Sequence, residues 1–202
     1  MAGVFADKMN RMYLEGADIL VPYRFFFKGL VYWTLYGITR NSKYRRRGAK
    51  ALSQLEKWVA AGVANCHHTL LLLRAERAAA MASFKVSKSD DVRFKFDQAI
   101  SASARSGFLH DRALGNECAA RFFLRHGNVS WASTYISRAR YCYQEWGANG
   151  KVRQLDETHG ELIIDKNAND SCQSSSLFST SRLASFKKET INSLTADVTS
   201  NY

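Results

Sequence analysis

The side chains most able to do chemistry are few and scattered. Histidine stands at His67, His68, His110, His126 and His159, and cysteine at Cys66, Cys118, Cys142 and Cys172. The run Cys66-His67-His68 is the most metal-like of these. Zinc on a helix needs ligands three or four residues apart on one face. His67 and His68 are adjacent and would point about 100° apart on a helix, and the nearest acid downstream is Glu76. The run therefore makes a poor metal site, and no metal or cofactor is expected. No G-x-S-x-G elbow or cysteine-protease signature presents a nucleophile. No G-x-x-x-x-G-K-[ST] loop is present to cradle phosphates. These patterns lead to an expectation of no catalytic activity.

Two other groups could bind something. Lys43, Arg45, Arg46, Arg47 and Lys50 form a basic cluster near the start of a helix, where positive charge opposes the macrodipole. That cost hints at a use for the charge, against the simpler reading of a solvated face. Tyr44 is the only aromatic inside the cluster, and no recognised nucleic-acid motif accompanies it. Asn116 and Glu117 interrupt an otherwise apolar helix. A ligand site is one reading; the favoured one is a polar pair satisfied within the helical core, with Arg138 or Arg140 as partner for Glu117.

The elements that must position these groups follow from composition and spacing. The chain has 202 residues, 46% apolar, with a single proline, Pro22. So little turn chemistry argues for helices over a sandwich or barrel. The net charge of +11 is uneven: residues 1–62 carry 11 Lys/Arg against 4 Asp/Glu, whereas residues 161–202 carry 4 against 5. A basic front third could attract nucleic acid, anionic lipid or an acidic protein surface. The most apolar stretch, Ile19 to Ile38, is interrupted by Pro22, Arg24 and Lys28, so no transmembrane span is expected. The cysteines form no C-x-x-C pair and no secretory signal opens the chain, which suggests a reducing, cytoplasmic setting. Asn128-Val129-Ser130 matches a glycosylation sequon, but Asn128 is better used as a helix cap.

Helix start and stop signals predict seven or eight helices. The first covers about 4–16 and the second 22–39, with Pro22 in its first turn. Ser42 would cap a third, ending at Gly62, and Asn65 a fourth, to about Ala82. After a polar connection over Phe84–Lys88, a fifth covers 89–105 and stops at Gly107. A sixth covers 109–126 and stops at Gly127. Asn128 would cap a seventh, which stops at Gly147, and a short eighth covers 150–158. A shift of 40 residues places Val92 on Ala132, Phe96 on Ile136, Ala99 on Ala139 and Gly107 on Gly147. A pair of helices recurring at that interval is the mark of an α-solenoid. The tetratricopeptide order of small residue, large residue, glycine turn and Ala-x3-aromatic is met by Ala120, Phe123, Gly127, Ala132, Ile136 and Ala139. The expectation is an all-α domain over 1–160, a solenoid of tetratricopeptide-like antiparallel helix hairpins. Residues 161–202 would form a largely disordered polar tail, since 165–202 hold 13 Ser/Thr and three aromatics. Trp146 should end the buried stripe Trp131, Tyr135, Ala139, Cys142. Gly147 should follow with φ > 0, the two pinning the last helix.

A family resemblance rests on Gly107-Phe108-Leu109-His110, Ala113-Leu114, Asn116-Glu117, Ala119-Ala120-Arg121-Phe122, Gly127, Ala132, Tyr135, Ala139, Tyr143, Trp146-Gly147-Ala148, Lys151-Val152 and Leu155. In these residues the chain resembles the tetratricopeptide-like repeat region of large multidomain signalling ATPases, which pair protein-kinase-like and AAA-type domains with GAF, histidine-kinase or cyclase domains. The match is close over less than half of the chain, and the family often has Ala and Leu where Gly115 and Cys118 stand here. The resemblance implies a non-catalytic module that holds protein partners or neighbouring domains in a signal-transduction assembly, as a scaffold. It also implies structural roles for Asn116, Glu117, Gly127, Trp146 and Gly147. The alternative is an electrostatic binder of nucleic acid or anionic membrane through the basic front third.

Overall fold

The structure is a computed structural model and describes residues 21–82 and 89–163. The expected helix over 4–16, the Phe84–Lys88 connection, Cys172 and the tail from 165 onward lie outside the described residues. Those described form seven α-helices: α1 (Val21–Thr39), α2 (Ser42–Ala60), α3 (His67–Met81), α4 (Ser89–Arg105), α5 (Leu109–Arg125), α6 (Val129–Glu145) and α7 (Asn149–His159). Short 3-10 turns cover Ala64–Cys66 and Gly160–Leu162, and no strand occurs among the described residues. No described helix is long and apolar enough to cross a membrane.

Pro22 sits in the first turn of α1, where its missing N–H costs no hydrogen bond. Two caps differ from expectation. The α2 cap is Asn41, whose Oδ1 accepts from Lys43 N at 2.9 Å. Ser42 is instead the first helical residue. Asn65 lies inside the 3-10 turn, and α3 starts after Cys66 without a side-chain cap. The Asn128 cap is as expected, its Oδ1 accepting from Trp131 N at 3.1 Å.

Gly62, Gly107, Gly127 and Gly147 all have φ between 73° and 86°. In each case the next residue's N–H reaches back past the glycine to a carbonyl in the last turn: Val63 to Trp58, Phe108 to Ser103, Asn128 to Phe123, Ala148 to Tyr143, at 2.9–3.0 Å. This is the Schellman closure, and it needs the left-handed conformation that glycine adopts without strain. At 107, 127 and 147 the following helix begins within two residues, so three successive connections share one geometry.

Consecutive helices pack as pairs, α1 on α2, α3 on α4 and α5 on α6, with α7 against α6; across pairs, α1 packs on α3 and α4 on α5. Val92, Phe96 and Ala99 of α4 and Ala132, Ile136 and Ala139 of α6 are all buried, as the 40-residue shift requires. Alanine lines the α5–α6 contact through Ala119, Ala120, Ala132 and Ala139, which lets the two backbones approach closely. Leu162 and Ile163 pack against the core, and Leu162 O accepts from Ser133 Oγ, so packing continues past Gly160.

Candidate functional site

A seam of polar contacts joins the odd-numbered helices. At the end of α1, Arg40 donates to Ala80 O of α3 at 2.7 Å. Buried Glu76 of α3 faces Arg121 of α5 at 3.7 Å. Glu117 of α5 accepts from Tyr143 Oη of α6 at 2.7 Å and from Lys151 Nζ of α7 at 2.9 Å. Burial pulls the Glu117 carboxyl up, but the hydrogen bonds from Tyr143 and Lys151, with the charges of Lys151 and Arg121, outweigh it and hold the group below its ordinary range. Glu117 is thus satisfied within the fold, as expected, but by different partners. Arg140 instead pairs with Asp156 of α7 at 2.6 Å, and Arg138 lies over the Tyr135 ring. Arg138 is five residues before Tyr143, on another face of α6, and Arg140, three residues before it, is taken up by Asp156. Asn116 is buried and donates to Arg112 O at 2.8 Å.

A second polar group escaped the sequence reading. His68 of α3 and Asp111 of α5 are both 1% exposed, with Nε2 and Oδ2 2.7 Å apart. Tyr23 of α1 donates to the same Oδ2 at 2.9 Å. Three helices are tied by one oxygen, in the first turn of α5 where an acid complements the helix dipole. Burial, then the Asp111 charge and hydrogen bond, pushes the Tyr23 hydroxyl far above its ordinary range. Burial likewise pushes the nearby Cys66 thiol up. Neither is an activated nucleophile. The metal-like run is split: Cys66 ends a 3-10 turn, His68 turns inward to Asp111 and His67 is exposed. No cluster of three or more metal-ligating side chains forms among the described residues. The signal that could have found the His68 contact is weak: a lone His and a lone Asp on apolar faces, 43 residues apart.

Beside this cluster lies a run of rings, half-buried at Tyr23 and His110 and exposed at its two ends. Tyr23 meets Phe27 at 6.1 Å and His110 at 6.3 Å, and His110 meets Trp146 at 5.2 Å between centroids. Trp146 is 52% exposed and Phe27 49%. This corrects the expectation that Trp146 is a buried latch. Trp146 is the C-cap of α6, and the chain turns away at Gly147 before its ring can reach the core. The last helix is held instead by Ala148, Val152 and buried Leu155. Gly147 and Gly127 do serve the turns, at φ 77° and 73°.

The basic cluster is on α2. Lys43, Arg45, Arg46 and Lys50 are exposed, whereas Arg47 is half-buried with its guanidinium over the Tyr32 ring at 5.6 Å. The first turn of α2 holds no acid. The structure keeps this cluster apart from Asn116, Glu117, Gly127, Trp146 and Gly147, which belong to α5, α6 and their turns. In comparison with known proteins, the chain matches no family model, no curated protein and no solved structure.

Proposed function

We propose that the chain is a non-catalytic helical-repeat module, an α-solenoid of tetratricopeptide-like hairpins that binds a protein partner or a neighbouring domain within a signal-transduction assembly. The observation that carries this reading is the aromatic run Phe27, Tyr23, His110 and Trp146, exposed at Phe27 and Trp146, which crosses from α1 to the ends of α5 and α6. Phe94 and Tyr141 are also exposed, but this run is a continuous series of ring contacts drawn from three helices, and such clustered aromatic surface marks contact sites in which Trp and Tyr dominate the energetics. Support for the repeat architecture comes from the three glycine turns of one geometry and the matching buried positions of α4 and α6. A turn repeated at a fixed interval generates a regular stack whose open faces bind partners.

The test replaces Trp146 and Phe27 with alanine, singly and together. Site-specific photo-crosslinking from position 146 in cells should capture discrete partner bands, lost with Phe27→Ala. The same crosslinker at exposed Arg153 should not give them. Identical bands from both positions would refute a contact surface at the aromatic run.

A further inference from the structure

The basic run of α2 and the groove beside it take no part in the polar seam or the aromatic run. Residues 43–50 place five cations within about two helical turns, with no acid between them. Among the described residues no carboxylate pairs with Lys43, Arg45, Arg46 or Lys50. A groove of about 310 Å³ opens alongside, lined by Arg45 and Glu56 of α2, Arg77 and Met81 of α3, and Trp33 of α1. Glu56, its one acid, is occupied by Arg74 at 2.9 Å. Arg77 is exposed with no ion pair among the described residues. Trp33 is 1% exposed, its indole packed against Gly48 of α2 at the back of the groove.

We infer that this groove and the basic run hold the sugar–phosphate backbone of single-stranded nucleic acid. Five spaced cations match a polyanion better than an isolated anion, and the N-terminus of α2 adds a favourable dipole for negative charge. The groove is at the small end of ligand pockets, with room for one nucleotide unit and none for a double helix. A lipid surface suits it less: the apolar positions of α2, Ala51, Leu52 and Leu55, are turned into the core, and Met81 of α3 is the one large apolar side chain of the groove lining that is exposed, too little for an amphipathic face. Tyr44 is stacked with Tyr32, so no ring of the run is free to read a base. Binding is therefore to phosphate and independent of sequence.

Fluorescence anisotropy with a labelled oligo-deoxythymidine of about 20 nucleotides tests this, across salt from about 50 to about 200 mM. Wild type should bind with a log–log salt slope near −3, reflecting about four phosphates neutralised at about −0.7 each. Arg45→Gln/Arg46→Gln should weaken binding at least ~10-fold at the lower salt and flatten the slope by about 1.4. Arg77→Gln should flatten it by about 0.7. Arg105→Gln/Arg153→Gln, two exposed residues elsewhere with the same change in charge, should alter neither. Equal weakening by the two double variants would overturn the site, leaving only diffuse net charge. Tighter binding to a duplex than to the single strand, with Arg77→Gln silent, would overturn the groove. Binding to phosphatidylserine vesicles with none to the oligonucleotide would overturn the choice of nucleic acid. All substituted residues are exposed, and unchanged thermal melts confirm folding.

Discussion

Two pairs of helices in this molecule differ in what fills the space between them. Between α5 and α6 the filling is small, with Ala119, Ala120, Ala132 and Ala139 fully buried and the Phe123 and Tyr135 rings stacked nearly parallel at 5.6 Å. Between α1 and α2 it is large: Phe26, Leu30, Trp33, Leu52 and Leu55. Gly48 and Ala51 are the small buried positions of α2, and at Gly48 a Cβ would stand 2.8 Å from the Trp33 ring. The comparison teaches why one pair carries a readable repeat signature and the other does not. Close backbone approach tolerates only small residues at set positions, so the alanines recur in register. A wider gap can be filled by many combinations of large side chains, provided total volume is kept.

The largest expected effect comes from emptying the wide gap. Trp33→Ala should destabilise by about 3–5 kcal/mol, the cost of losing a fully buried aromatic and leaving a cavity. Urea unfolding followed by circular dichroism would measure it, and a loss under about 1 kcal/mol would mean that α1 and α2 collapse to fill the space. Overfilling the narrow gap comes next. Ala139→Leu should cost about 1–3 kcal/mol by the same measurement, through forced backbone separation. If it is neutral, α5 and α6 are not held at close approach and the two pairs differ less than their side chains suggest.

A third expectation concerns acid. Glu117 is held below its ordinary range in the folded state, so the unfolded chain takes up its proton more readily. Its contribution to stability is present above the ordinary carboxylate range and is lost as pH falls through it. Melting temperature should fall on acidification, and Glu117→Gln should flatten that dependence. An unchanged slope in the variant would show that Lys151 and Tyr143 do not hold the charge. The smallest stability effect is expected at Trp146. With half its surface already in water, Trp146→Ala should cost no more than about 2 kcal/mol, even though it removes a residue of the same type as Trp33. A loss equal to that of Trp33→Ala would restore the latch reading.

Much of the helical layout was legible in the sequence. The spans 89–105 and the Asn128 cap came out as read, and the four positive-φ glycines stand where the apolar stripes stop. These features are local: a helix end needs its caps and its C′ residue within a few positions, so the signal lies in one short window. The candidate sites were less legible. The basic cluster was found because its members are contiguous, but the groove beside it needs Arg77 and Trp33 from two other helices. Glu117 was read as a satisfied core acid, yet a pattern of charges could not choose between Arg138, Arg140 and the Tyr143 and Lys151 it meets.

By itself, then, the sequence determined to within a few residues where helices begin and end, which face of each is apolar, and which glycines turn the backbone through φ > 0. Those outcomes depend on backbone hydrogen bonds and side-chain periodicity over a few residues. Only the tertiary structure decided that Asp111 gathers Tyr23 and His68 from 88 and 43 residues away, and that Trp146 lies against His110 in solvent. Such pairings depend on the angle and offset at which helices stack, which no local spacing encodes, and a shift of one turn would have exchanged every partner.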